Sequence, residues 1–119
     1  MYKEYLIAFK DLQITKKELL RKLGIANLTK ATTNEPLVIY TSDVIALLNA
    51  YASGKITCDQ LIDWVNTVWF TDLFDYDDDQ SDSIASVMSL LEELDEEDRK
   101  LTKSDIDIYI SALEKNQEI

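Results

Sequence analysis

The sequence predicts an all-α fold: a single-domain bundle of five or six helices, with a first segment, residues 1–40, that admits either helix or short strands. Three observations carry this. Two glycines and one proline in 119 residues are too few for a chain that reverses between many strands. A helix-start signature recurs along the chain. Apolar residues then repeat at helical spacing behind each start. The length is that of one domain, and 46% hydrophobic with 29% charged residues is globular composition.

In chain order, Tyr2, Tyr5, Leu6 and Phe9 make one helical face, although Tyr5–Phe9 also fits a short strand; helix is expected. Ile14-Thr15-Lys-Lys-Glu18-Leu19 then offers a threonine cap, an acid three residues later to reach back to the cap amide, and a flanking apolar pair. Leu19, Leu20 and Leu23 follow, and Gly24 stops the helix. Thr29–Pro36 is loop; Leu37–Tyr40 also fits a short strand, but an extended linker is expected. Tyr40-Thr41 before Ile45 begins the next helix, with Thr41 as the cap and Val44, Leu47, Leu48 and Tyr51 as its face, ending at Gly54. The signature returns at Ile56-Thr57-Cys-Asp-Gln60-Leu61, leading into Leu61, Trp64, Val65, Val68 and Trp69. A helix entered near Ser81 or Asp82 carries Ile84, Val87, Met88, Leu91 and Leu94. Leu101-Thr102-Lys-Ser-Asp105-Ile106 opens the last one, with Ile106, Tyr109, Ile110 and Leu113 inward. The tail Lys115–Ile119 is expected to fray.

Charge divides the chain sharply. The formal net charge is −11; residues 1–55 contribute +3 and residues 99–119 contribute 0, whereas residues 56–98 hold fourteen acids and no base. Six of these acids, Asp72, Asp75, Asp77, Asp78, Asp79 and Asp82, fall within eleven positions, interleaved with Phe74 and Tyr76. A field of this sign repels phosphates, so nucleic acid is not the expected partner of this face, and a basic protein is. A second cluster, Glu92-Glu93-Leu94-Asp95-Glu96-Glu97-Asp98, closes the long helix, where acids oppose the helix dipole. Helix stability does not select acids there; steering or solubility does.

Several chemistries fit poorly. With no histidine, histidine-based acid–base catalysis and histidine metal ligation are excluded. Cys58, the single cysteine, reads as a small packed residue, and no disulfide within the chain is available. No glycine-rich phosphate loop occurs. Asp75-Tyr-Asp77-Asp-Asp79 begins like a calcium loop, but the required glycine and glutamate positions hold Gln80 and Ser86, or Asp82 and Met88 in the alternative register. No metal and no cofactor are therefore expected, and a non-enzymatic protein is. The charged first residues do not suit a signal peptide, and no apolar run spans a bilayer; a cytoplasmic protein without membrane contact is expected. Thr15–Ile25 also suits the first helix and turn of a helix-turn-helix regulator, with Lys16, Lys17, Arg21 and Lys22 as its bases, but Ala26–Asn34 supplies one base where the recognition helix belongs.

Between Val44 and Leu113 the run VIALLNAYASGKITCDQLIDWV, the acidic stretch after it and LTKSDIDIYISAL together resemble the small α-helical immunity proteins of the colicin D type and some immunity proteins of contact-dependent growth inhibition. The resemblance rests on helix order, the Gly54-Lys55-Ile56-Thr57 turn and acidity. It implies a protein that binds a cognate bacterial toxin domain, typically a basic nuclease such as a tRNase, and blocks it. On that basis Asp72, Asp75, Asp77, Asp78, Asp79 and Asp82 are expected to steer the partner and take the place of phosphates, with Phe74 and Tyr76 as apolar anchors. Glu92, Glu93 and Glu96 form the second edge of the surface. A generic acidic adaptor for an unrelated basic partner is the alternative, and a helix-turn-helix regulator a lesser one.

Overall fold

A computed structural model describes residues 3–24, 35–97 and 101–119, with side chains described throughout except at residues 95–97. Its helices are α1 (Lys3–Lys10), α2 (Lys16–Leu23), α3 (Thr41–Ala52), α4 (Cys58–Phe70), α5 (Ser81–Glu97) and α6 (Lys103–Glu114). The described residues are mostly helical, with only a small two-stranded sheet, the architecture expected. One feature modifies it. Leu37–Ile39 is not a linker but a strand, β1, and Phe74–Tyr76 within the acidic stretch is a second strand, β2. The two pair in parallel, Leu37 with Phe74 and Ile39 with Tyr76. Parallel strands require a crossover between them, and α3 and α4 supply it. Among the described residues, no helix is long and apolar enough to cross a membrane.

The helix starts follow local chemistry. Thr15, Thr57 and Thr102 each accept a hydrogen bond from the third helical amide, while Glu18, Gln60 and Asp105 reach back to the cap N–H. Each such cap is worth about 1 kcal/mol. The flanking apolar pairs Ile14/Leu19, Ile56/Leu61 and Leu101/Ile106 all join the core. At α3 the cap lies one residue earlier than Thr41. Tyr40 occupies it, and because its ring offers no cap acceptor there, Asp43 Oδ2 alone closes the turn by accepting Tyr40 N–H at 2.9 Å.

Helices α1, α3 and α6 end on one device. After α3, Lys55 N–H bonds Ala50 C=O and Gly54 N–H bonds Tyr51 C=O, with Gly54 at φ 79°; this is a Schellman turn. After α1, Leu12 holds the left-handed position at φ 64°, and after α6, Asn116 holds it at φ 53°. A leucine there costs about 1–2 kcal/mol, offset by packing of Leu12 against the core. Asn116 also gives the tail Lys115–Ile119, expected to fray, a partner across the fold. Its Nδ2 donates to Asp79 C=O at 2.8 Å, and Ile119 N–H donates to Ser86 Oγ at 3.0 Å, so the tail is tied across α5.

The core is one cluster centred on Leu48, Leu61, Trp64, Val87, Met88 and Leu91. In it α3 packs on α6, α4 on α5 and α1 on α2. Two polar contacts fasten α1 to it: Trp64 Nε1 donates to Lys10 C=O at 3.2 Å, and Lys10 Nζ lies 3.1 Å from both Asp43 and Asp11 carboxylates. The would-be recognition helix, Ala26–Asn34, lies outside the described residues.

Candidate functional site

The acidic stretch hangs between two fixed ends. At the first, α4 stops at Phe70 because Thr71 turns extended (φ −118°, ψ 163°). Its hydroxyl donates to Thr67 C=O at 2.6 Å, and Leu73, fully buried, then returns the chain to the core. β2 follows with its side chains alternating: Phe74 inward, Asp75 outward, Tyr76 half-buried with its ring 6.1 Å from that of Trp69. Burial raises the Tyr76 phenol's pKa well above its usual range, so it stays neutral at physiological pH.

At the second end, main-chain and amide groups hold the turn into α5. Asp77 N–H bonds Ile39 C=O, and Gln80 N–H bonds Asp77 C=O, each at 3.0 Å. Gln80 Oε1 accepts Thr41 N–H at 2.9 Å, fastening the turn to the start of α3. The buried Ser83 hydroxyl lies 3.0 Å from Gln80 C=O and 2.8 Å from Asn116 Oδ1 and shares its one hydrogen between them. Asn116 completes the clasp at Asp79 C=O.

None of these bonds uses a carboxylate. Asp72, Asp75, Asp78, Asp79 and Asp82 are exposed and Asp77 is half-buried. No lysine or arginine among the described residues lies within ion-pair distance of any of them. The backbone is thus fixed while the charges project from it, an arrangement able to meet a basic surface without reorganising. It is not a metal cage: among the described residues, no three acidic or cysteine side chains group closely enough to hold an ion.

Of the two aromatics expected to be apolar anchors, Phe74 is buried and Tyr76 half-buried. Phe74 is 6% exposed and its ring lies 6.3 Å from that of Phe9, so it is core, buried because strand alternation turns it inward. Tyr76 is partly in the same position. The exposed apolar groups near the acids are Phe70 (55%), Tyr40 (46%) and Val38 (36%). Phe70 falls just past the inward stripe Leu61–Trp69 of α4 and off its face, so its exposure follows from helical spacing. Val38 reaches the site only by pairing opposite Asp75, and nothing local to its own sequence signals that.

The second acidic cluster lies further along α5. Glu93 lies eleven residues beyond Asp82 on α5, roughly 16 Å along the axis and within about 20° of the same helix face. Glu92 and Glu93 are half-buried and engaged within the fold; Glu96 sits in the last turn of α5, its side chain outside the described set. A distant cleft of about 100 Å³ between α1, α2 and α4 is lined by Phe9, Leu12, Thr15, Glu18, Gln60 and Trp64. Its Thr15, Glu18 and Gln60 are already used in helix caps. No family model matches this chain, and no curated protein or solved structure shows significant similarity to it.

Proposed function

We propose that this protein is an immunity-type inhibitor that binds a basic, nucleic-acid-cleaving bacterial toxin domain through the surface around β2. One observation carries the reading: six aspartate carboxylates project from a main chain that is fixed without them, inside a 43-residue segment that contains no base. Selection for folding does not account for such a run. A partner whose natural ligand is a polyanion does, because the aspartates occupy the places of successive phosphates and raise the association rate. Phe70, Tyr40 and Val38 supply apolar contact at the rim of the same surface.

The test is a pull-down from the native host with mass spectrometry, run beside Asp75→Asn/Asp77→Asn/Asp78→Asn/Asp79→Asn. The carboxylates make no bond to a described residue, so the variant should unfold within about 0.5 kcal/mol of the wild type. Capture of a basic toxin domain by the wild type and its loss by the variant is the expected result. Capture by both removes the acidic surface from the mechanism. Capture of a basic protein without toxin activity replaces immunity with an adaptor role.

A further inference from the structure

Among the described residues, β2 pairs with β1 along one edge and with no strand along the other. The parallel register directs the N–H and C=O of Asp75 toward β1 and turns those of Phe74 and Tyr76 the opposite way. Beside that second edge runs a solvent-open groove of about 230 Å³ lined by Val68, Trp69, Thr71, Phe74, Asp75 and Tyr76. None of these residues belongs to β1, so the groove lies on the far side of β2, against the last turn of α4. No main-chain hydrogen bond from another described residue reaches Phe74 or Tyr76 there.

An open strand edge is a template for a further strand, and proteins normally guard it with lysine, proline or a bulge. Here aspartates stand in that place. Asp75 and Asp77 repel a second copy of this strand, which would set the same charges opposite each other, but they favour a strand carrying the other sign. We propose that the partner adds an extended segment along the open edge of β2, alternating basic and apolar residues. The inference rests on the reading that the partner is basic. Main-chain groups of the segment pair with Phe74 and Tyr76. Its side chains on one face meet Asp75 and Asp77, and those on the other enter the groove over Trp69.

The probe is a capped heptapeptide, Lys-Val-Lys-Val-Arg-Val-Lys, titrated into the isotope-labelled full chain and followed by amide NMR shifts. A peptide of identical composition with its charges grouped, and versions N-methylated at every second residue in both phases, serve as controls. The alternating peptide should bind about tenfold more tightly than the grouped one, since only it can present both faces at once. It should shift the amides of Phe74 and Tyr76. One N-methylated phase should lose about tenfold and the other little, and Asp75→Lys/Asp77→Lys should abolish the difference between peptides. Equal binding of alternating and grouped peptides, shifts that spare Phe74 and Tyr76, or no binding each overturn strand addition. The N-methyl comparison uses the wild type and is independent of how the double variant folds. Peptide binding without a toxin in the pull-down removes the immunity reading alone; a captured toxin without peptide binding removes strand addition alone.

Discussion

Removing the Asp43 carboxylate tests how α1 and β1 are held to the bundle. Asp43 does two things at once: Oδ2 accepts Tyr40 N–H at 2.9 Å, and Oδ1 meets Lys10 Nζ at 3.1 Å, with the two side chains only 14% and 18% exposed. Asp43→Ala should lose a helix cap worth about 1 kcal/mol and a part-buried ion pair worth about 1 kcal/mol. For a domain of this size a loss of about 2 kcal/mol lowers Tm by roughly 8 °C. Asp43→Asn keeps an acceptor for Tyr40 N–H and should lose only the charge, roughly 4 °C. Lys10→Met should cost the same, and the Asp43→Asn/Lys10→Met double variant no more than either single change. Burial pulls the Lys10 pKa down, but its hydrogen bonds to Asp43 and Asp11 and their charges outweigh that, and the net shift is upward from 10.5. A raised folded pKa makes this contribution fully present below pH 10.5 and lost as pH climbs through the higher folded value. The gap between wild type and Asp43→Asn should therefore close above pH 10.5. Thermal melts by circular dichroism measure all of this. Equal losses for Asp43→Ala and Asp43→Asn, or additive singles, would refute the double role.

Asn116→Ala should cost about 2 kcal/mol through two lost side-chain hydrogen bonds and a strained left-handed alanine, with faster amide exchange at residues 77–80; Asn116→Gly should restore only the backbone share. Phe74→Ala should cost about 3–5 kcal/mol in chemical denaturation as a core truncation, whereas Phe70→Ala, at the surface, should stay within about 0.5 kcal/mol. Burial, then the Asp59 charge, raises the Cys58 thiol pKa, so alkylation by iodoacetamide at neutral pH should run slower than for free cysteine, and Asp59→Asn should speed it.

What could be read from the sequence is what is local to it. Thr15 with Glu18, Thr57 with Gln60 and Thr102 with Asp105 act across three residues, so their caps are visible as strings, and Gly54 marks its own turn because only glycine takes a left-handed φ freely. Leu12 and Asn116 make the same turn without glycine, held by packing and by Asp79, and nothing beside them in the chain announces it. The β1–β2 pair was hidden for a related reason. Three-residue strands carry almost no periodicity, and their pairing depends on where α3 and α4 return the chain. With it went the placement of Phe74: among aspartates it reads as a surface aromatic, and only the strand's alternation turns it inward. The charge asymmetry, by contrast, is independent of fold and could be located from composition alone.

The pairing of Leu37 with Phe74 has a consequence in time. The bond from Asn116 to Asp79 spans 37 residues, and the strand register from Leu37 to Phe74 spans a similar stretch. Contacts so distant along the chain must overcome loop-closure entropy before they stabilise anything, so they form late. The helices, nucleated by their own caps, assemble first. The acidic surface is then shaped only once its flanking helices have formed, and during synthesis its clasp cannot close until Asn116 has been made. A chain stalled short of that residue would carry the charges but not the shape that presents them.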